Sequence, residues 1–301
     1  METGFAFIDY VVFALYAVLI LGVAMWVSRE KKGHTKNSSD YFLASKALPW
    51  WAIGTSLIAS NISAEQFIGM SGSGYAIGLA IASYEWMSAA ALLIVAKFFM
   101  PIFLEKKIYT MPQFLEARYD NRVRTILAVL WLLVYVFVNL TSVLYLGALA
   151  LNTIMGIPLL YGILGLAIFA ALYSIYGGLK SVAWTDFIQV IFLIGGGLVT
   201  TYLALDAVAE HYNVSGPLAG FMEMFRNFPS KFDMILERGQ IMIPDGEGGA
   251  RDAFQDIPGL SVLIGGLWVA NFAYWGFNQY IIQKGLGAKN IKQAQWGLAF
   301  A

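Results

Sequence analysis

Ser56-Leu-Ile-Ala-Ser-Asn-Ile-Ser-Ala-Glu-Gln66 is a polar run held between apolar turns. Residues 49–73 around it are long enough to cross a bilayer, because a hydrocarbon core of about 30 Å takes about 20 residues of helix. Ser and Asn side chains offer the backbone alternatives to helical hydrogen bonds. A break here would free carbonyl oxygens in mid-span, where a bare cation finds ligands. The other reading is a continuous helix whose polar stripe packs on its neighbours.

The whole chain supports a membrane setting. Its 301 residues are 59% hydrophobic and 13% charged, with a mean hydropathy of +0.66. Soluble domains carry about 25% charged residues, and disorder needs low hydrophobicity and high net charge. Nineteen basic residues balance nineteen acidic ones, so no field favours nucleic acid. Cys is absent, which removes disulfides and thiolate metal sites. His34 and His211 sit in polar stretches, away from the apolar segments. Seven segments read as spanning: 6–28, 49–73, 79–103, 123–149, 159–178, 181–206 and 259–283. An eighth begins near Ala294. A helix cut off at Ala301 would leave backbone unsatisfied in lipid, so the chain is expected to be part of a longer protein. Gly195-Gly196-Gly197 is read as a mark of close helix packing.

The first segment has Glu2 and Asp9 before its apolar run and Arg29, Lys31 and Lys32 after it. A secretory signal has the opposite flanks, so this is read as a retained helix with its N-terminus outside. The inner loops are then 29–48, 104–122, 179–180 and 284–293. Fifteen of the nineteen basic residues fall in these loops or at inner helix ends, Lys284 among them. The other four lie in one long outer loop, 207–258, where the positive-inside bias has little force. That loop contains Asp245-Gly-Glu-Gly-Gly-Ala-Arg-Asp252. It lacks the spacing of a calcium loop and reads as a solvated connector.

Glu65, Glu85 and Asp186 stand at membrane depth, where a charge costs about 2.5–3.5 kcal/mol on insertion scales. Each faces a cavity, an ion or a partner, or stays neutral and hydrogen-bonded to a neighbouring helix. Polar residues recur at helical spacing in four segments: Glu85 with Ser88, Tyr135 with Asn139, Asp186 with Gln189, and Asn271 with Tyr274. Each pair shares a helix face. The 259–283 segment has glycine breakers and a mid-span Asn, and lies five helices after the 49–73 segment with the opposite direction. Interrupted helices at matching places in opposed units point to an inverted-repeat transporter with a mid-membrane site. Aromatics beside Tyr274 suit a sugar, whose apolar face stacks on a ring while Asn, Gln and Glu bind its hydroxyls.

Four stretches carry a resemblance. Tyr173-Ser-Ile-Tyr-Gly-Gly-Leu-Lys-Ser-Val-Ala-Trp-Thr-Asp-Phe-Ile-Gln189 resembles the sodium:solute symporter family. Ser60–Tyr75, Ser83-Tyr-Glu-Trp-Met-Ser88 and Trp268-Val-Ala-Asn-Phe-Ala-Tyr-Trp-Gly-Phe-Asn-Gln279 resemble its sodium/glucose cotransporter branch. The resemblance implies an all-α membrane protein, an inverted-repeat helical bundle of leucine-transporter type. The chain would be its N-terminal portion, with seven full spanning helices and the start of an eighth. Residues 1–48 would hold a peripheral first helix and cytoplasmic loop. Residues 49–206 would form the first five-helix repeat, 207–258 an extracytoplasmic loop, and 259–301 the start of the second repeat. Gln66, Glu85, Ser88, Asn139 and Asn271 match sugar contacts, with Glu65 beside them. Tyr274 matches an inner gate stacked under the sugar, and Met70 and Tyr84 match part of an outer gate. Ala59 and Ile62 match positions whose carbonyls hold sodium, and Asp186 an acid on sodium's way out. The family's sugar-binding lysine and sodium-binding serines would lie beyond Ala301. Ala273 and the outer loop depart from the family pattern, which bears on substrate choice.

The implied activity is sodium-coupled symport of a galactose- or glucose-like sugar across the inner membrane, in a multi-pass protein. The partners are sugar, sodium, the lipid bilayer and the protein's own C-terminal helices. No covalent catalysis is expected, and a phosphate-binding loop is absent. Three alternatives stand: a sodium symporter for an amino acid, vitamin or sugar acid; a membrane sugar sensor; and an intramembrane enzyme using Glu65 and Glu85 as acid and base.

Overall fold

The computed structural model describes residues 6–29, 38–246, 248–257 and 259–301. The basic residues Lys31, Lys32 and Lys36, the N-terminal Glu2, and Glu247 of the acidic run lie outside the described residues. Contacts divide the chain into two compact units. The first comprises Met1–Ile68, Leu92–Gln189 and Tyr274–Ala301, and the second Gly69–Ala91 and Val190–Ala273.

Four helices are long and apolar enough to cross a membrane among the described residues: Phe7–Val27, Leu79–Glu105, Asn121–Met155 and Gly177–His211. Local chemistry sets their ends. Asp120 caps the third, its carboxylate accepting from the Val123 amide at 2.9 Å. Gly156, left-handed at φ 69°, ends it, as glycine does at helix C-termini. Side chains such as Leu130, Leu133 and Phe137 stand exposed on this helix, a surface suited to lipid. The segments expected at 159–178 and 181–206 are two helices within Leu159–His211 that meet at a kink at Gly178. Gly178 has φ +61°, and a Cβ there would meet the Tyr41 carbonyl at 2.7 Å. Only glycine satisfies both demands.

The 49–73 segment is broken. Helix Trp50–Asn61 ends, Ile62 is extended (φ −88°, ψ 107°), and a wide-turn segment Glu65–Met70 leads into helix Ser71–Ile77. The 259–283 segment is broken twice, at Gly265 (φ −100°, ψ −125°) and at Asn278 (φ −75°, ψ 121°). Asn271 lies within helix Leu267–Phe272 and not at a break.

In the first unit, helix Ile291–Phe300 packs on helix Trp50–Asn61. The approach is close: a Cβ on Gly297 would stand 2.7 Å from the Ile53 Cβ, and one on Gly54 2.4 Å from Phe300 Cδ1. Small residues permit such crossings in membranes. Leu48 adds two backbone bonds, donating to the Gly287 carbonyl and accepting from the Lys289 amide, each at 3.1 Å. The Trp50 amide donates to Gln293 Oε1 at 2.8 Å. The start of the broken helix is thus tied to residues 287–297.

In the second unit, nothing among the described residues lies within 4 Å of a Cβ built on Gly195, Gly196 or Gly197, so no described residue packs closely on the triplet. The described residues of the run Asp245–Asp252 form a mostly exposed hairpin turn, as expected of a connector, but the rest of 207–258 is structured. Residues 207–258 hold helix Pro217–Asn227 and a hairpin pairing Met242–Pro244 with Ala250–Asp252. Leu236, Ile241, Ile243, Ala253 and Ile257 form one apolar core with Ile77 and Ala80, and Tyr84 packs against it. The acidic run spends Asp245 on its own turn, where its carboxylate accepts from the Gly249 amide at 2.8 Å.

Candidate functional site

The break after Asn61 redirects three amides. In a continuing helix the Ser63 amide would bond the Ala59 carbonyl four residues back. It donates instead to Gln66 Oε1 at 2.8 Å. The Glu65 amide turns to Ser63 Oγ (3.2 Å) in place of the Asn61 carbonyl. The Gln66 amide turns to the Ser63 carbonyl (3.1 Å) in place of Ile62. The carbonyls of Ala59, Asn61 and Ile62 therefore lose their helical donors. They sit at the C-terminus of a helix, where the backbone dipole favours a cation. Oxygen-only ligands of this sort suit a hard cation such as sodium, and freed carbonyls at half-helix ends are how transporters hold it.

The same stretch walls a cavity of about 560 Å³, within the range of about 300–1,000 Å³ usual for small-molecule sites. Ser60, Asn61, Ser63, Glu65 and Gln66 form one side, Tyr135, Asn139 and Ser142 another, and Tyr274 and Tyr280 a third. Glu65 accepts a short hydrogen bond from Ser142 Oγ. The Tyr274 and Tyr280 hydroxyls are 2.8 Å apart. Tyr135 braces the second break: its hydroxyl accepts from the Gln279 amide (3.0 Å) and donates to Asn278 Oδ1 (2.8 Å). A hollow of similar size at Trp50, Trp296 and Phe300 offers mainly rings and has no comparable set of polar groups.

Of the nominated residues, the structure gathers Gln66, Glu65, Asn139 and Tyr274 around this cavity, with Ala59 and Ile62 at the break beside it. Asp186 is elsewhere in the same unit, buried and paired with Lys284 Nζ at 2.9 Å. Lys284 was expected in the inner loop 284–293; it lies instead in helix Gln279–Leu286 and is 5% exposed. In the second unit, Ser88 Oγ donates to Asn271 Oδ1 at 2.6 Å, and Asn271 Nδ2 to the Leu267 carbonyl at 3.0 Å. Glu85 lies in the first turn of helix Ser83–Ile94, which also carries Ser88. Met70 ends the wide-turn segment, and Tyr84 packs on the core of residues 236–257.

Ser56, Ser142, Tyr280 and Lys284 were not nominated. Ser142 follows Asn139 by one turn, and Tyr280 stands one residue past the Trp268–Gln279 stretch. For Lys284 no local signal exists.

Comparison with known proteins decides the family. A profile of the sodium:solute symporter family matches residues 41–300. The chain belongs to the sodium:solute symporter family. It is 59% identical over all 301 residues to the sodium/glucose cotransporter of Vibrio parahaemolyticus, covering 53% of that protein. It is 32% identical over 302 residues to human sodium/myo-inositol cotransporter 2, with 97% of this chain aligned to 42% of that one. Its fold matches the outward-open, substrate-bound structure of a Na+-coupled sialic acid symporter at a TM-score of 0.80 and 25% identity, covering 98% of this chain and 56% of the other. The chain spans about half the length of the relatives it matches. The expected fold class holds: this is a helical membrane protein with the inverted-repeat symporter fold.

Proposed function

We propose that this symporter chain supplies part of a sodium-coupled transporter for a galactose- or glucose-like hexose, working by alternating access. One observation carries the reading: the three freed carbonyls and the polar cavity are built from the same residues, 59–66. Sodium at the break and sugar in the cavity would then share a wall, and what orders one orders the other. Sodium raises sugar affinity, and by linkage sugar raises sodium affinity by the same factor.

In this reading the carbonyls of Ala59 and Ile62 hold sodium, and Asp186 receives it on the way out. Gln66, Glu65 and Asn139 meet sugar hydroxyls, and the Tyr274 ring closes the site from inside. The assignment of Glu85, Ser88 and Asn271 to sugar contact, and of Met70 and Tyr84 to an outer gate, rests on the resemblance in sequence. Residues 49–206 are the first repeat and 259–301 the opening of the second. The reading needs no covalent chemistry. One charge entering across 100 mV supplies about 2.3 kcal/mol, and a tenfold sodium gradient adds about 1.4 kcal/mol. Together, at about 3.7 kcal/mol, they support a several-hundred-fold sugar gradient per sodium.

A relative named for myo-inositol favours a polyol as the second reading. For a sugar acid the basic partner would have to come from the part of the protein beyond this chain, since among the described residues the cavity lining holds no Lys, Arg or His. The deciding experiment is labelled galactose and glucose uptake into proteoliposomes, with and without an inward sodium gradient, using the gene read to its natural stop codon. Sodium-driven hexose uptake is expected. Uptake blocked by unlabelled myo-inositol but not by glucose moves the substrate to the polyol. Absence of sodium-dependent flux sinks the symport reading in favour of a sensor or an enzyme.

In this reading the N-terminus and residues 207–258 are extracytoplasmic, which the bias of basic residues toward the other loops supports. The absence of cysteine makes this directly testable. A membrane-impermeant maleimide is expected to label Ser215→Cys on intact cells and Lys106→Cys only after permeabilisation. The reverse pattern inverts the topology.

A further inference from the structure

Two helices run from the cavity to one buried ion pair. Helix Gln279–Leu286 carries Tyr280 in the cavity wall, hydrogen-bonded to Tyr274. Four residues on, and so on the same helix face, comes Lys284. Its ammonium lies 2.9 Å from Asp186 Oδ2 and 2.6 Å from Ser56 Oγ. Ser56, fully buried, donates to the same carboxylate oxygen. Helix Trp50–Asn61 carries Ser56, and one turn further Ser60, whose hydroxyl donates to the Ser56 carbonyl at 2.8 Å. Ser60 lines the cavity. The pair is thus joined to the sugar wall by one turn of helix on each side.

We propose that Lys284 is a tethered cation that competes with sodium for Asp186. Helix 279–286 is the lever that ties its withdrawal to the Tyr274–Tyr280 gate. The inference rests on the reading of Asp186 as sodium's stop on the way out.

The physical case is charge exclusion. Asp186 carries one negative charge, and at 2.9 Å the ammonium already neutralises it. A sodium ion reaching that carboxylate would meet a like charge a few ångströms away in a site almost without water, where such repulsion is weakly screened. Docked Lys284 and bound sodium are therefore alternative states of one site. The gate and the lysine are rigidly linked, because residues 280 and 284 share one helical turn. A gate movement that carries Tyr280 off Tyr274 also draws Lys284 from Asp186 and opens the carboxylate to sodium. A merely structural ion pair would make no such trade.

Lys284→Gln in the full-length protein tests this by the sodium dependence of galactose uptake. The half-saturating sodium concentration is expected to fall at least tenfold, because the carboxylate loses its competitor. Maximal turnover falls as sodium leaves more slowly, while the galactose KM at saturating sodium stays within twofold. Lys284→Arg restores wild-type sodium dependence, and adding Asp186→Asn to Lys284→Gln cancels the tenfold gain. If Lys284→Gln does not fold, Tyr280→Phe, which cuts the hydroxyl tie to Tyr274 and leaves the ion pair intact, decides: half-saturating sodium falls at least threefold as the lever is released. Unchanged sodium half-saturation in Lys284→Gln, a gain that survives Asp186→Asn, or, where Lys284→Gln does not fold, wild-type sodium half-saturation in Tyr280→Phe overturns the inference alone. A wild-type protein without sodium-driven uptake overturns it together with the symport reading.

Discussion

Gln66→Ala is expected to cut sodium-driven hexose uptake by about a hundredfold. Gln66 acts twice. Its carbonyl oxygen accepts from the Ser63 amide at 2.8 Å and is 3.0 Å from the Ser63 hydroxyl, which holds the backbone turned away from the helix and the Ala59 carbonyl free. Its side chain also lines the cavity. Each hydrogen bond of this kind is worth about 0.5–1.5 kcal/mol net. Losing both bonds at the break and one to a sugar hydroxyl comes to about 3 kcal/mol, which is about two decades at 1.4 kcal/mol per decade. Gln66→Glu separates the two roles. It keeps an acceptor for Ser63, so half-saturating sodium stays within about threefold of wild type, while it loses the amide donor and raises the sugar KM. Alanine raises both. Wild-type sodium and sugar dependence in Gln66→Ala would remove this side chain from the site and the break from the mechanism.

The break could be read from sequence because its cause is local. Ser60, Asn61 and Ser63 are adjacent competitors for backbone bonds, and the polarity of residues 56–66 is anomalous within an apolar span. Gln66, Asn139 and Tyr274 were legible for the same reason: polar groups at membrane depth need a destination. Lys284 was not. It falls at the end of an apolar segment among other lysines, where solvation is the ordinary expectation, and its partner lies 98 residues away. The Glu65–Ser142 bond, 77 residues apart, was hidden in the same way. The second break was half legible. Glycines announced the interruption at Gly265, but Asn278 breaks the helix with the help of Tyr135, which lies 143 residues earlier. The apolar core within residues 207–258 was not legible. Leu236, Ile241, Ile243 and Ile257 follow no helical or strand period across the segment, so their common core exists only in three dimensions.

Leu236→Asp tests that core and is expected to open it. Leu236 is 2% exposed among Ile241, Ile243, Ala253, Ile257, Ile77 and Ala80. Truncating such a leucine to alanine costs about 2–5 kcal/mol, and desolvating an unpaired carboxylate adds several more. The surrounding polar ties cannot absorb that. Lys231 donates to the Tyr75 carbonyl at 3.0 Å and to that of Ala76, capping helix Ser71–Ile77, and exposed bonds of this kind contribute about 1 kcal/mol each. Trypsin cleavage after Arg238 is therefore expected to quicken more than tenfold, since each 1.4 kcal/mol of local destabilisation raises the open population by a decade. Met242→Asp is the control. Met242 is 56% exposed on the strand that buries Ile243, and a charge there should leave cleavage unchanged. The consequence for transport runs through Tyr84, which packs against this core. With the core open, Tyr84 loses the surface that orders it, and uptake is expected to fall at least tenfold in Leu236→Asp and not in Met242→Asp. Equal protease resistance in the two variants would show that residues 228–257 owe their order to something other than this core. Rapid cleavage with undiminished uptake would separate the core from the gate and leave Tyr84 ordered by its own helix.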